Sequence, residues 1–344
     1  MSIFSKPIKR VRVCAEFGVN HLGSLDVAKE AIVKAAQAGA DCIKFQTYKA
    51  EKLVTRTAPK FWDWAGDSDK KTQFEAYDAL DDFPLENYPE LIKTCEENHI
   101  EFLSTPFDFE SADYLNSLGM KAIKVSSSDL TYLPYLKHIA KYHKPILLST
   151  GAATIGEIDE AVNTIRSVNN NKIVLLHCTL KYPTQNRDAN LNLIKTLKRM
   201  YPEFEVGLSD HTLGTFTAGI AVALGARVIE KHYTLDKTWE KSADHWLSVN
   251  PEELKQLVDN VRLTETLMGS SRKRVFKCEK ETYLYDKRSI VAAVDIESGT
   301  EITKDMLICK RPGTGFPPKF MDMIIGRTAK RKIQADKIIT WRLI

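Results

Sequence analysis

Very little in this chain speaks for a membrane, a nucleic acid or an oxidising compartment. No apolar run approaches the roughly 20 residues that a bilayer-spanning helix needs. The stretch from Met1 to Arg12 ends in basic residues with no apolar segment behind them, so a cytoplasmic protein without a secretory leader is expected. Cysteine is scarce, at 6 in 344 residues. Cys14, Cys42, Cys95, Cys178, Cys278 and Cys309 are scattered, several lie in apolar runs, and none forms a CxxC pair. That speaks against a disulfide framework or a thiolate metal site. A net charge of +4 is too small to predict a nucleic-acid partner. The densest basic stretch, Arg272-Lys273-Arg274 with Lys277, adjoins a Gly-Ser-Ser break and reads as a solvated linker. An early glycine-rich phosphate fingerprint is missing too, which removes the usual mark of a dinucleotide-binding half.

What the chain has in quantity is alternation. Eight apolar runs, Val11–Glu16, Cys42–Gln46, Glu101–Thr105, Ala122–Ser126, Pro145–Thr150, Ile173–His177, Glu205–Ser209 and Arg227–Glu230, read as strands. Between and after them lie segments of helical period such as Leu25–Ala38, Leu85–Asn98, Phe109–Ser117, Thr154–Val168 and Pro251–Met268. Ser24 and Thr154 stand as N-caps, and Gly39, Gly119 and Gly225 punctuate the returns to strand. Alternating elements fit a doubly wound open sheet or a (β/α)8 TIM barrel. The barrel is favoured because nearly every strand, and not only those beside one crevice, ends in residues able to do chemistry.

In order, those ends carry Glu16, Lys44 and Gln46, Ser104-Thr105, Lys124 with Ser126 to Ser128, Ser149-Thr150, His177 and Thr179, Ser209 to His211, and Glu230 with His232. Two lysines and several hydroxyls around one mouth are what a phosphate-bearing substrate requires. Each lysine alone could instead snorkel to solvent. His211 and His232 lie one βα unit apart, so strands seven and eight could bring both imidazoles to one metal ion; a lone histidine in such a place is as well explained by capping or half-burial.

The alternation stops near Met268. Residues 1–269 are therefore read as the barrel, 270–284 as a polar linker and 285–344 as a small β-rich module, with a strand at Ser289–Ala293 and a short helical step at Ile302–Leu307. A module of that size has too little core to stand for stability alone, so it is expected to cover the large domain or a neighbouring chain, with Arg311 as its chemical group.

These residues carry a resemblance. Glu16-Phe17-Gly18-Val19-Asn20-His21-Leu22-Gly23, Lys44-Phe45-Gln46-Thr47, Leu103-Ser104-Thr105-Pro106-Phe107, Leu148-Ser149-Thr150-Gly151, His177 through Pro183, Gly207 to Thr212 and Glu230 to His232 resemble the sialic acid synthase family. Arg288-Ser289-Ile290-Val291 and Arg311-Pro312-Gly313 resemble that family's antifreeze-like (SAF) domain. The resemblance implies condensation of phosphoenolpyruvate with the open-chain aldehyde of an N-acylated hexose, giving a nine-carbon 2-keto-3-deoxy acid and phosphate. It implies His211 and His232 as ligands of a divalent metal, Mn²⁺ before Mg²⁺ or Co²⁺, since two imidazoles with open positions suit it. Lys44, Thr105, Lys124, Ser127, Ser149 and Ser209 match the phosphoenolpyruvate contacts, and Glu16 a carboxylate at the reacting centre that orients water or moves a proton. Gln46, Tyr182, Asp244 and Arg311 match the sugar contacts. Arg311 would come from a second subunit whose SAF domain caps the partner barrel in a homodimer.

The chain departs from the family pattern where the sugar would be chosen. Leu180 replaces a more usual polar residue, Asp129 a common glutamate, and the loop 58–67 carries tryptophans. Two other readings stay open: a barrel that condenses phosphoenolpyruvate with a phosphorylated aldose to a shorter keto acid, and a non-catalytic carbohydrate-binding protein.

Overall fold

The computed structural model describes residues 2–62, 69–239 and 244–344. Of the tryptophan-bearing loop 58–67, residues 63–67 lie outside the described part. The chain divides into two compact units, Met1–Gly269 and Ser270–Ile344.

Parallel strands buried on both faces read as unbroken apolar runs, and all eight runs form strands. They are β1 (Arg12–Gly18), β2 (Cys42–Thr47), β3 (Glu101–Pro106), β4 (Ile123–Val125), β5 (Ile146–Ser149), β6 (Ile173–Cys178), β7 (Glu205–Asp210) and β8 (Val228–His232). Their order is β3-β2-β1-β8-β7-β6-β5-β4, and β1 hydrogen-bonds to β2 on one side and β8 on the other. The sheet is thus rolled into a nearly closed TIM-like barrel. The seam between β3 and β4 has no recorded ladder, because β4 is only three residues long before Ser126 turns away into a 3₁₀ turn at Ser127–Asp129.

Helices wrap the barrel where their caps dictate. The Ser24 hydroxyl accepts from Val27 N and opens the helix Leu25–Gln37, which buries Ala28, Ala31, Ile32 and Ala35 at the spacing of one face. Capping boxes at Thr154 and Asn250 start Ile155–Arg166 and Pro251–Met268. Gly39 and Gly225, at φ +87° and +101°, supply the left-handed turns that lead back into β2 and β8. All six cysteines are free thiols, and Cys14, Cys42, Cys95 and Cys178 are buried. No described helix is long and apolar enough to cross a membrane.

In the second unit β9 (Ser289–Ala292) pairs antiparallel with β10 (Leu307–Lys310) over a core that includes Ile290, Ile296, Ile302, Ile324, Ile333 and Ile339. The short step before β10 is a 3₁₀ turn at Lys304–Met306. The segment 270–284, read from sequence as linker, contains a 3₁₀ turn at Lys277–Glu279 and most of a short helix at Lys280–Tyr285.

Candidate active site at the barrel mouth

Side chains two apart on a strand share a face. That rule carries Lys44 with Gln46, Ser209 with His211 and Glu230 with His232 to the inside of the barrel at its C-terminal end, where barrel active sites form. There they line a cavity together with Glu16, Thr105, Lys124, Ser127, Ser149 and Tyr182. Of the remaining sequence-derived candidates, Asp244 does not line the cavity and stands behind His232, whereas Arg311 belongs to the second unit, where its guanidinium pairs with Asp286 at 2.5 Å.

The cavity floor is an ion-pair network. Lys44 Nζ is 2.6 Å from Glu16 Oε2, donates to Thr105 Oγ1 at 2.9 Å and stands 4.0 Å from Glu230 Oε2. Burial works against its charge, but Glu16 and Glu230 outweigh that and hold its pKa above the usual lysine value. Lys124 is 3.7 Å from Glu230 Oε1; burial pulls its pKa down, with Glu230 opposing. Burial alone would raise the Glu230 carboxyl, yet Lys124, Lys44 and the Ser209 hydroxyl, donating at 2.8 Å, bring it down to about 2. Gln46 Nε2 donates to Glu16 Oε1 at 2.8 Å and so orients that carboxylate. Two ammonium and two carboxylate charges cancel, so a strongly anionic ligand needs positive charge from elsewhere. The Ser149 hydroxyl is buried on the cavity wall with no hydrogen-bond partner among the described residues, a donor available to such a ligand.

The two imidazoles meet at 5.3 Å between ring centroids, with the Tyr182 ring 4.0 Å from His211 and 5.5 Å from His232. His211 Nδ1 lies 2.9 Å from the Thr179 carbonyl oxygen, which can only accept; a neutral ring therefore keeps its proton there and offers the Nε2 lone pair. Among the described residues no group of three or more His, Cys, Asp or Glu could hold a metal ion. The protein would supply two nitrogen ligands, leaving several positions to water and substrate oxygens. That donor set suits Mn²⁺ and not a closed tetrahedral zinc site.

With this geometry in view, the relationships of the chain are informative. A family model described as the NeuB family matches residues 31–273, and another described as a SAF domain matches residues 287–344. The chain belongs to the NeuB family. It is 40% identical over 335 residues to the N,N'-diacetyllegionaminic acid synthase of Campylobacter jejuni, with 96% of this chain and 99% of that protein covered. Against the human N-acetylneuraminate-9-phosphate synthase it is 36% identical, covering 96% and 92%. A solved structure of N-acetylneuraminic acid (sialic acid) synthetase from Leptospira borgpetersenii superposes with a TM-score of 0.71 at 32% identity, covering 80% of this chain and 90% of that one. The resemblance to sialic acid synthases drawn from the motifs is thereby shown.

Several residues of this NeuB-family cavity had no assigned role from sequence. From sequence Glu230 is a rim residue only; its links to both lysines are seen in the structure alone. Cys178 lines the wall with its Sγ 3.8 Å from His211 Nδ1. Burial would raise this thiol's pKa, but His211, Ser127 and Lys124 bring it below the ordinary value. Phe107 and Leu180 add apolar surface to the same wall. Asp129, read from sequence as a departure from the family pattern, is not in the lining. Its Oδ2 is buried with no hydrogen-bond partner among the described residues, and burial, partly offset by Lys124, pushes its pKa up to about 7. The fold therefore favours neutral Asp129, and the cost of ionising it grows from about pH 4 to pH 7. Asp129→Asn is expected to stabilise the protein more at pH 8 than at pH 5. Urea denaturation at the two pH values checks this; equal effects at both would overturn it.

Proposed function

We propose that this chain condenses phosphoenolpyruvate with the open-chain aldehyde of an N-acyl-mannosamine-type sugar. Carbon 3 of phosphoenolpyruvate bonds to the aldehyde carbon, water adds at carbon 2, and the bond from carbon 2 to the phosphate oxygen breaks, releasing phosphate and a nine-carbon 2-keto-3-deoxy acid. The observation that carries this reading is the convergence of Lys44, Lys124 and the hydroxyls of Thr105, Ser127, Ser149 and Ser209 on one cavity beside two imidazoles. The family membership and the names of the relatives support it.

In this reading Lys44, Lys124 and the hydroxyls hold the phosphate and carboxylate of phosphoenolpyruvate as charge-assisted hydrogen bonds. Glu16, steadied by Gln46, orients the water or takes its proton. A divalent ion, Mn²⁺ first, would be held by His211 and His232 and would supply Lewis-acid polarisation of the aldehyde oxygen. Tyr182 and Gln46 would contact the sugar. Leu180 and Phe107 favour an acceptor with a methyl group where others carry a hydroxyl or phosphate, and so a 2,4-diacetamido-2,4,6-trideoxymannose over N-acetylmannosamine. Arg311 would reach the sugar from a second subunit in a homodimer working in the cytoplasm.

The test is incubation with phosphoenolpyruvate, Mn²⁺ and a panel of N-acyl mannosamines and 6-deoxy diacetamido sugars, following phosphate release and product mass. Release with at least one sugar is expected, fastest with the 6-deoxy diacetamido acceptor, together with loss of most activity in Arg311→Ala. No release with any sugar would overturn the reading. Full activity in Arg311→Ala would favour a barrel synthase that makes shorter keto acids without the SAF domain.

A further inference from the structure

The resemblance gives Asp244 to the sugar, and the structure also sets it beside an imidazole. Its Oδ2 faces His232 Nδ1 at 3.3 Å, on the side of the ring away from Nε2. That Nδ1 is buried and makes no hydrogen bond of full geometry among the described residues, so the Asp244 carboxylate stands to it as an ion-pair neighbour. Asp244 is itself mostly buried, with its side chain 15% exposed.

The segment that carries Asp244 is fastened to the strand that carries His232. Val249 N donates to the His232 carbonyl at 2.8 Å, and Thr234 N donates to the Val249 carbonyl at 3.0 Å. His245, next to Asp244 and fully buried, has its Nδ1 2.7 Å from Thr234 Oγ1. Ser248 closes the turn, its N and Oγ both donating to the Asp244 carbonyl, at 3.1 and 2.6 Å. The loop after β8 is thus held to its own strand end at several points, and the carboxylate comes to rest against the imidazole.

We propose that Asp244 is a positioning residue, whose carboxylate keeps the proton of His232 on Nδ1 and so aims the Nε2 lone pair at the divalent cation. The Thr179 carbonyl does the same for His211 from a different part of the barrel. Both rings then present the same nitrogen, each fixed by an oxygen that can only accept. With only two protein ligands available, tautomer control decides how well the cation is held. The inference rests on the proposed role of the two histidines as metal ligands.

The test is Mn²⁺ binding to the full chain, read by loss of the free-ion signal in electron paramagnetic resonance, without substrates. In Asp244→Asn the amide can offer an N–H to Nδ1 and favour the wrong tautomer, so Mn²⁺ affinity is expected to fall about 10–100-fold. Pulsed spectra should show two imidazole nitrogen couplings in the wild type and one in the variant. Asp305→Asn, at an exposed carboxylate of the second unit, should bind Mn²⁺ as the wild type does. Asp244→Ser, with the same expectation, replaces the amide variant if that one does not fold. Unchanged affinity with both couplings retained overturns this inference alone. A wild-type chain that binds no Mn²⁺ overturns the metal reading and this inference with it.

Discussion

Lys231→Met should lower the stability of the barrel by about 3–5 kcal/mol, the range for orphaning a buried charge. Lys231 is 1% exposed, and its Nζ lies 2.9 Å from Asp210 Oδ2 and donates to the Thr212 carbonyl. Asp210 and Lys231 are register partners on β7 and β8. Around them, Thr212 N and Oγ1 and Thr217 Oγ1 donate to the same carboxylate, at 2.9, 2.8 and 2.5 Å. Methionine fills the space of the lysine stem but leaves Asp210 ionised and buried without its counter-charge. The double variant Asp210→Asn, Lys231→Met removes both charges and should recover most of the loss. Burial would raise the Asp210 carboxyl, but Lys231 and the hydroxyls hold its pKa below the ordinary value. Its stabilisation is therefore present above the unfolded carboxyl's pKa and fades as pH falls through the folded one. Urea denaturation of the three proteins decides the matter; a single variant as stable as the wild type would sink it.

Lys44→Met should cost on the order of 10²–10³-fold in kcat/KM for phosphoenolpyruvate, the equivalent of losing one partner of a buried charge pair. The substitution removes a cation from the proposed phosphate site. It also leaves Glu16, formerly 2.6 Å from the ammonium, as an unneutralised carboxylate facing the incoming anion. Both effects act in the same direction. Steady-state kinetics with the preferred sugar at saturation is the measurement, and a change under about threefold would remove Lys44 from the site.

These two lysines also show what could be read from sequence. Each sits in an apolar run, and strand parity alone sends Lys44 inward and Lys231 outward, relative to Glu230 and His232. The barrel itself was legible because all eight strands are apolar runs separated by helices, some of them opened by caps such as Ser24 and Thr154. Boundaries slipped where local chemistry intervened. β4 is shorter than its run because Ser126 leaves for a 3₁₀ turn, and the helix expected from Leu85 starts at Tyr88 after a 3₁₀ turn at Leu85–Asn87. The helix at Lys280–Tyr285 escaped notice because it is six residues long and buries none of them, so it leaves no periodic signature. Asp244 was legible as a site residue only through family resemblance. Its partner is set by the fastening of a loop to β8, which spacing does not encode. Nor does spacing show that Glu230 pairs with both lysines, since inward parity gives direction and not distance.

The unladdered seam between β3 and β4 gives the barrel a mechanical asymmetry. An eight-staved hoop with one open joint has its firmest point opposite, and opposite this joint lie β7 and β8, tied by ladder bonds and by the Asp210–Lys231 pair. The histidines are thus carried on the part of the wall farthest from the seam. Thr105 and Lys124, by contrast, stand one on each side of the open joint, and both face the cavity. In the proposed reaction the phosphate is therefore held by one residue from each side of that seam.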